Sequence, residues 1–142
     1  SRAEVPGSDD LIGRPVAIST SVKVNCEGKE SIGSCKELLP LLSKMAEEPR
    51  DLIWAPAIEA RLRDLVTADP GEFTIRTIEC RQSLCAAEVV SIHGQFHFIM
   101  GVAHDPSLNK NVLPQTSLLG YEDGPTGAQL KNTVTFSMFK RR

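Results

Sequence analysis

Three histidines, His93, His97 and His104, form the set of side chains in this sequence that is best suited to binding a metal ion. If the segment around them is helical, offsets of four and eleven residues place all three on one flank. Three imidazoles could then hold zinc with one position open for water, as in a zinc-dependent hydrolase. No H-E-x-x-H signature accompanies them, and polar histidines beside an apolar stripe are the simpler interpretation. We therefore expect no metal ion or other cofactor, and keep the hydrolase as an alternative.

Four cysteines form two pairs that are close in sequence, Cys26 with Cys35 and Cys80 with Cys85. Structural zinc sites usually space paired ligands two to four residues apart, and neither pair is C-x-x-C, so disulfides are favoured over zinc. Of the three possible connectivities we choose Cys26–Cys35 and Cys80–Cys85. Bridges closing such short loops should each stabilise the fold by roughly 2–3 kcal/mol.

Disulfides indicate an oxidising compartment, and therefore an exported protein. The sequence contains no Asn-x-Ser/Thr sequon and starts at Ser1 without a methionine. We expect a mature periplasmic form whose signal peptide is absent, and a lipid anchor further upstream remains open. No apolar run approaches the roughly 20 residues that would cross a bilayer.

Other catalytic and binding chemistries have little support. The sequence lacks G-x-S-x-G, Walker-type and G-x-G-x-x-G motifs. A net charge of −2 and an isoelectric point of about 5.9 do not favour nucleic acid as a partner. The basic cluster Lys140-Arg141-Arg142 is interpreted as a solvated end. We therefore expect a protein that is not an enzyme.

The elements that must position these residues can be predicted from periodicity and from helix- and strand-ending residues. Residues 1–15 are expected to be a flexible arm, and residues 16–142 a single domain. The pattern predicts helices over 35–48 and from Trp54 to Val66, and strands over 16–24, 73–80, 85–92 and 130–141. Residues 94–104 fit either a helix or a strand, and we favour the helix. Residues 107–129 are predicted to be a long loop containing one strand.

These elements favour an α+β domain with two or three helices packed on one face of an antiparallel sheet. The sheet should contain the hairpin that Cys80 and Cys85 flank. If the two cysteines lie directly opposite one another, their Cβ atoms are close enough for a disulfide.

The pattern W-x4-E at Trp54 and Glu59, followed by C-R-x3-C from Cys80 to Cys85, carries a resemblance to known proteins. It resembles small exported proteins of Gammaproteobacteria, some of which, in xanthomonad-like bacteria, are periplasmic immunity proteins against effectors of type IV secretion systems. The resemblance covers roughly residues 52–92 and implies structural roles for Trp54, Glu59 and the cysteines. A helix packed on the hairpin would let Glu59 pair with Arg81, although their spacing favours two separate surface charges.

The predicted loop from Asp105 to Gly127 is the candidate binding surface, because long irregular segments often carry recognition. Tyr121, with Glu122 and Asp123 beside it, offers an aromatic anchor surrounded by charge. The function that we expect is non-catalytic binding of a protein partner, a cognate toxin that this immunity or inhibitor protein neutralises. A cell-envelope accessory or assembly protein that pairs through a strand edge is the second alternative.

Overall fold

The computed structural model describes residues 10–68, 73–91, 95–124 and 127–142, with only the backbone at 95–97, 123 and 127–131. The described residues form five helices and four strands. In chain order these are α1 (Ser19–Cys26), α2 (Gly33–Ala46), α3 (Trp54–Thr67), β1 (Phe73–Cys80), β2 (Leu84–Ser91), α4 (Gln95–His104), α5 (Pro106–Asn111), β3 (Val112–Gly124) and β4 (Gly127–Arg141).

The four strands form one antiparallel sheet in the order β1-β2-β4-β3. The predicted α+β class is therefore confirmed, and so is the hairpin of β1 and β2. Cys80 pairs with Cys85 in its register. β2 and β4 are central, whereas β1 and β3 form the two edges of the sheet. Almost every residue of β2 is buried, which requires that both faces of the sheet be covered.

Helices cover both faces of the sheet, not one face as the sequence predicts. On one face α3, α4 and α5 pack around a core that includes Trp54, Leu62, Ile78, Phe98 and Phe139. On the other face α1 and α2 pack around a core that includes Val22, Leu38, Met45, Phe136 and Met138. The prediction of a single helical layer is wrong because β2 is buried on both faces, so α1 and α2 cover the face that α3, α4 and α5 leave open.

The strand predicted over residues 16–24 is wrong, because residues 19–26 form helix α1. The β-branched composition of this segment favours a strand. Ile18, Val22 and Cys26 are nevertheless fully buried at a spacing of four residues, which is the periodicity of a helix. Packing of this stripe against the sheet and α2 outweighs the weak local propensity.

The two other helices of the first half occur where the sequence predicts them. α2 is a single helix that contains Pro40, whose ring lies on the exposed side. A carbonyl left without its amide partner there can bind water, so the helix continues through the proline. Ahead of α3, the side chain of Asp51 caps the helix by accepting hydrogen bonds from the amides of Ile53 and Trp54 at 2.9 and 2.8 Å.

The helix favoured over residues 94–104 is confirmed as α4. The long loop predicted over residues 107–129 is wrong, because helix α5 and strand β3 occupy most of it. Asp105 caps α5 by accepting a hydrogen bond from the amide of Leu108 at 3.0 Å, and Pro106 fits the first turn. Pro114 lies on edge strand β3, at a register irregularity, where a missing N–H is tolerated.

Both predicted disulfides are present, Cys26–Cys35 between α1 and α2 and Cys80–Cys85 across the hairpin. Their four cysteines are buried in the two cores. No cysteine of the described chain is free. Two buried disulfides are typical of proteins that fold in an oxidising compartment. Among the described helices, none is long and apolar enough to span a membrane.

Candidate functional site

The residues of the W-x4-E and C-R-x3-C pattern meet in one polar cluster at the end of the hairpin. Glu59 accepts two parallel hydrogen bonds from the guanidinium of Arg50, at 2.6 and 2.8 Å, and a third from the amide of Cys80 at 2.9 Å. Arg50 also donates to the carbonyl of Cys80 at 2.9 Å. This hydrogen bonding to Glu59 raises the pKa of Arg50 above its ordinary value. Helix α3 and strand β1 are thereby fixed together.

Arg81 does not pair with Glu59, nor is it a surface charge. Its side chain is fully buried, and it bonds to Glu79 at 2.8 Å. Its two terminal nitrogens donate to carbonyl oxygens of Leu11, Arg14, Pro15, Met45 and Ala46. Residues 11–15, which the sequence assigns to the N-terminal arm, thus lie against the hairpin loop and the end of α2.

Two further contacts complete this cluster. Glu48 accepts hydrogen bonds from the amides of Gln82 and Ser83 and from the Ser83 hydroxyl. Arg141 lies over the Trp54 ring, 4.7 Å from its centroid, and pairs with Asp51 at 3.0 Å. Arg141 therefore packs on the fold, although its side chain is still 39% exposed at the expected solvated end. Every charged side chain in this cluster is used to bind another part of the fold, which indicates a structural role.

A different region combines exposed apolar, aromatic and charged groups. We name it the Tyr121 groove: a depression of about 260 Å³ on the α1 side of the sheet. Val24 on α1 is 70% exposed, and Tyr121 is 64% exposed and borders the groove on β3, with its side chain on the opposite face of the sheet from Glu122. The other lining residues are Thr20, Ser21 and Asn25 from α1, Arg76 from β1, Glu88 from β2, Gly120 and Glu122 from β3, and Val134 and Phe136 from β4.

An ion-pair network crosses the Tyr121 groove. Arg76 pairs with Glu88, which is nearly buried, at 3.3 Å, and with Glu122. These two carboxylates, Glu122 first, hold the pKa of Arg76 above its ordinary value. The register of β1 against β2 shifts between Ile75 and Thr77, and this bulge contains Arg76. β-Bulges are a common means of redirecting a side chain.

Gly120 allows α1 to approach the sheet beside Tyr121. A Cβ atom at this position would lie 2.9 Å from Oδ1 of Asn25. The amide oxygen of Asn25 therefore faces the strand at the glycine, next to the exposed tyrosine. The groove is in this way bordered by a helix on one side and by the rigid sheet on the other.

Two of the three predicted partner-binding residues lie at the same groove. Tyr121 and Glu122 line the groove, and the side chain of Asp123 lies outside the described residues. Sequence reasoning did not identify Arg76 and Glu88 as part of this site. Their opposite charges on the two strands of the predicted hairpin were the available signal. The groove residues of α1 could not be predicted, because local propensity indicates a strand for that segment.

Most of the predicted histidine site lies outside the residues that the structure describes. His93 and the side chain of His97 are not described, and His104 is exposed at the end of α4. Among the described side chains, no group of three His, Cys, Asp or Glu residues could hold a metal ion. His104, the one histidine of the three whose side chain is described, therefore belongs to no such group.

A second, larger groove of about 430 Å³ lies in the other helical layer. Its lining includes Ile53, which is 86% exposed, with Trp54 and Arg141. At its border Arg61 pairs with Asp105 at 3.3 Å. The charges around this groove thus pair across neighbouring elements, and Ile53 is its most exposed large apolar side chain. This groove is the main competitor of the Tyr121 groove as a contact surface.

Comparison with known proteins finds no matching family, no matching curated protein and no matching solved structure.

Proposed function

We propose that this protein is a non-catalytic binding protein of the bacterial periplasm, and specifically an immunity protein that neutralises an antibacterial toxin delivered by a type IV secretion system. The Tyr121 groove is the observation that carries the proposal. An exposed tyrosine on an edge strand, next to a groove lined by charged groups, is the kind of anchor that dominates binding in protein interfaces. The two disulfides support export, and the pattern from Trp54 to Cys85 supports the immunity class by resemblance.

The geometry also favours binding over catalysis. The acidic and basic groups of the cluster around Cys80 bind one another and the backbone, as the pairing of Glu59 with Arg50 illustrates. In the Tyr121 groove the only described cation, Arg76, already has two carboxylate partners. A binding surface can use such fixed charges for complementarity, whereas general acid–base catalysis needs a group that is available to exchange protons.

The proposal is tested by deleting the gene in its native host and growing the deletion strain in contact with the parent strain. We expect the deletion strain to be killed, and to survive when the attacking strain lacks a functional type IV secretion system. Complementation with the exported protein should restore survival, and a copy without an export signal should not. Equal survival of the deletion strain and the parent strain would refute the immunity function.

A cell-envelope assembly protein is the second candidate, and the edge position of β3 favours it. This strand has 13 residues and is paired only with β4 in the described sheet. An exposed edge can accept a strand from another chain. The same co-culture separates the two functions: loss of an assembly factor would weaken the envelope with or without an attacker. The zinc-dependent hydrolase stays a prediction that rests on the three histidines.

A further inference from the structure

We propose that the free edge of β3 binds an extended, acidic segment of the partner protein as a fifth strand of the sheet. This inference rests on the proposed binding function and deepens it, because it names the form and the charge of the segment that meets the strand carrying Tyr121. Three observations carry it: the open backbone edge, the side chains that leave both faces of this strand, and the unpaired cations at its start.

The backbone edge of β3 is open from Thr116 to Glu122. β3 is paired only with β4 in the described sheet, and after the irregularity between Pro114 and Thr116 its register is regular as far as Asp123. The outward backbone groups of this stretch have no hydrogen-bonding partner in the part of the chain that the structure describes. Such a row of unpaired N–H and C=O groups is a template for a further strand.

β1, the other edge of the sheet, is a poorer template. Its register shifts between Ile75 and Thr77, and Arg76 at this bulge has a charged side chain that is 43% exposed. Bulges and charged side chains are features by which proteins prevent strand addition at an edge. Between Thr116 and Tyr121, by contrast, β3 has no charged residue.

A strand added to β3 would contact side chains on both faces of the sheet. Tyr121 and Glu122 are consecutive in the regular part of β3, so their side chains leave opposite faces. A ligand in the groove would reach only one of these faces, whereas a neighbouring strand has side chains on both. On the face of Tyr121, an apolar or β-branched residue of the added strand would lie against the exposed ring.

The charge at the start of β3 selects an acidic segment. Three cations surround this point: Lys110 at the end of α5, Lys140 opposite Leu113, and Arg142, whose amide donates to the carbonyl of Asn111. None of the three has an ion-pair partner among the described side chains. Carboxylates of a partner can therefore pair with them without displacing an existing contact.

The acidic groups near β3 do not cancel this positive charge. Glu122 is paired with Arg76, and Glu37, which accepts a hydrogen bond from the Thr116 hydroxyl at 3.2 Å, is one carboxylate against three cations. The described ladders of the sheet are antiparallel, and an antiparallel partner would bring its C-terminal end to the start of β3. The acidic residues should thus follow the strand-forming residues in the sequence of the partner.

The test uses NMR titration of the isotopically labelled protein with four blocked octapeptides. The first, Thr-Val-Thr-Val-Thr-Val-Asp-Asp, has its acidic pair at the C-terminal end. The second has Asn-Asn in place of Asp-Asp, the third has Asp-Asp moved to the N-terminal end, and the fourth is the first peptide N-methylated at its two central residues, so that neither of its edges can pair fully.

We expect the first peptide to shift the backbone resonances of residues 116–122 and to slow the hydrogen exchange of their outward amides. The amides of β1 are the internal control and should not change. The second and third peptides should bind about fivefold more weakly, because they lack the ion pairs at the start of β3. The N-methylated peptide should not bind, because it lacks the backbone donors.

Matched variants locate the charge effect. Lys110→Gln and Lys140→Gln should each weaken binding of the first peptide about twofold to threefold and leave binding of the Asn-Asn peptide unchanged. Arg63→Gln removes one charge at an exposed position of α3, which packs against β1, and should leave both unchanged. Thermal unfolding of each variant verifies that it is folded.

Three results would overturn the inference: no protection of the β3 amides by the first peptide, equal or tighter binding of any of the other three peptides, or protection of these amides that rises with protein concentration alone. The last result would show that a second copy of the chain occupies the edge.

The outcome is separable from the immunity proposal. Strand addition at β3 together with full survival of the deletion strain would refute only the immunity function. Killing of that strain without binding of the first peptide would refute only the inferred chemistry.

Discussion

The guanidinium of Arg81 donates a hydrogen bond to the carbonyl oxygen of Arg14 at 2.9 Å. This contact joins the hairpin loop to a segment 67 residues earlier in the chain. The same guanidinium binds the carbonyls of Met45 and Ala46 at the end of α2. A single buried side chain of the C-R-x3-C pattern therefore connects three separate parts of the domain.

Replacing this arginine should destabilise the protein strongly. Arg81→Lys keeps the positive charge but cannot supply the planar fork that reaches these carbonyls, so buried acceptors lose their donors. We expect the free energy of unfolding to fall by about 2–4 kcal/mol in urea denaturation. Arg63→Lys, at an exposed position of α3, should change it by less than about 0.5 kcal/mol. Similar small losses in both variants would contradict the proposed role of Arg81.

The ionisation of Asp51 should make the free energy of unfolding depend on pH. The amides of Trp54 and Ile53 donate to its carboxylate and hold its pKa below the ordinary value of 3.8. A lowered folded-state pKa contributes stability that is present above the unfolded pKa and is lost as the pH falls through the folded value. An asparagine in its place would keep an acceptor oxygen for these amides but would not titrate.

We therefore expect Asp51→Asn to be less stable than the wild type at neutral pH, by up to about 1 kcal/mol. The difference should shrink as the pH is lowered from about 5 to about 2. Urea denaturation of both proteins across this pH range measures the difference in their free energies of unfolding. A difference that stayed constant with pH would show that the charge of Asp51 does not contribute.

The two disulfides should contribute unequally. Replacing Cys26 and Cys35 by serine removes a short loop closure, which should cost roughly 2–3 kcal/mol. The same change at Cys80 and Cys85 should cost more, because the hairpin loop also holds Arg81 and the amides that bind Glu48. Urea denaturation of the two double variants under non-reducing conditions provides the comparison. An equal or reversed order would contradict the role assigned to the hairpin loop.

The elements that sequence reasoning predicted correctly depend on residues close together in the chain. The β1–β2 hairpin has strand-like sequence on both sides of a short loop, and its cysteines can meet only if the strands pair. Helix α3 has apolar residues at helical spacing, with Asp51 ahead of it and Pro56 in its first turn. Local patterns were sufficient to predict these elements.

The elements that were missed depend on tertiary contacts. Helix α1 has β-branched residues that favour a strand, and only packing on the sheet and the bond from Cys26 to α2 select the helix. Strand β3 contains Pro114 and Gly120, which normally interrupt strands. Both are tolerated because β3 is an edge strand and because the glycine makes room for Asn25.

The candidate site was only half predictable for the same reason. Tyr121 and Glu122 stand out in the sequence as an aromatic residue beside charge. The ion pair of Glu122 with Arg76 depends on the β-bulge at Arg76 and on the strand order. Neither feature was predicted from the sequence alone. Composition and spacing can therefore suggest an anchor residue, but not the charges that surround it.

The most direct test of the proposed function is the survival of the deletion strain when it carries exported Tyr121→Ala in place of the wild-type protein. Ile53→Ala, which removes an exposed apolar side chain from the competing groove in the other helical layer, is the matched control. We expect Ile53→Ala to protect against the parent strain as well as the wild type does, and Tyr121→Ala, present at the same level, to give no protection. Full protection by Tyr121→Ala would contradict the central claim that Tyr121 and the groove beside it bind the toxin.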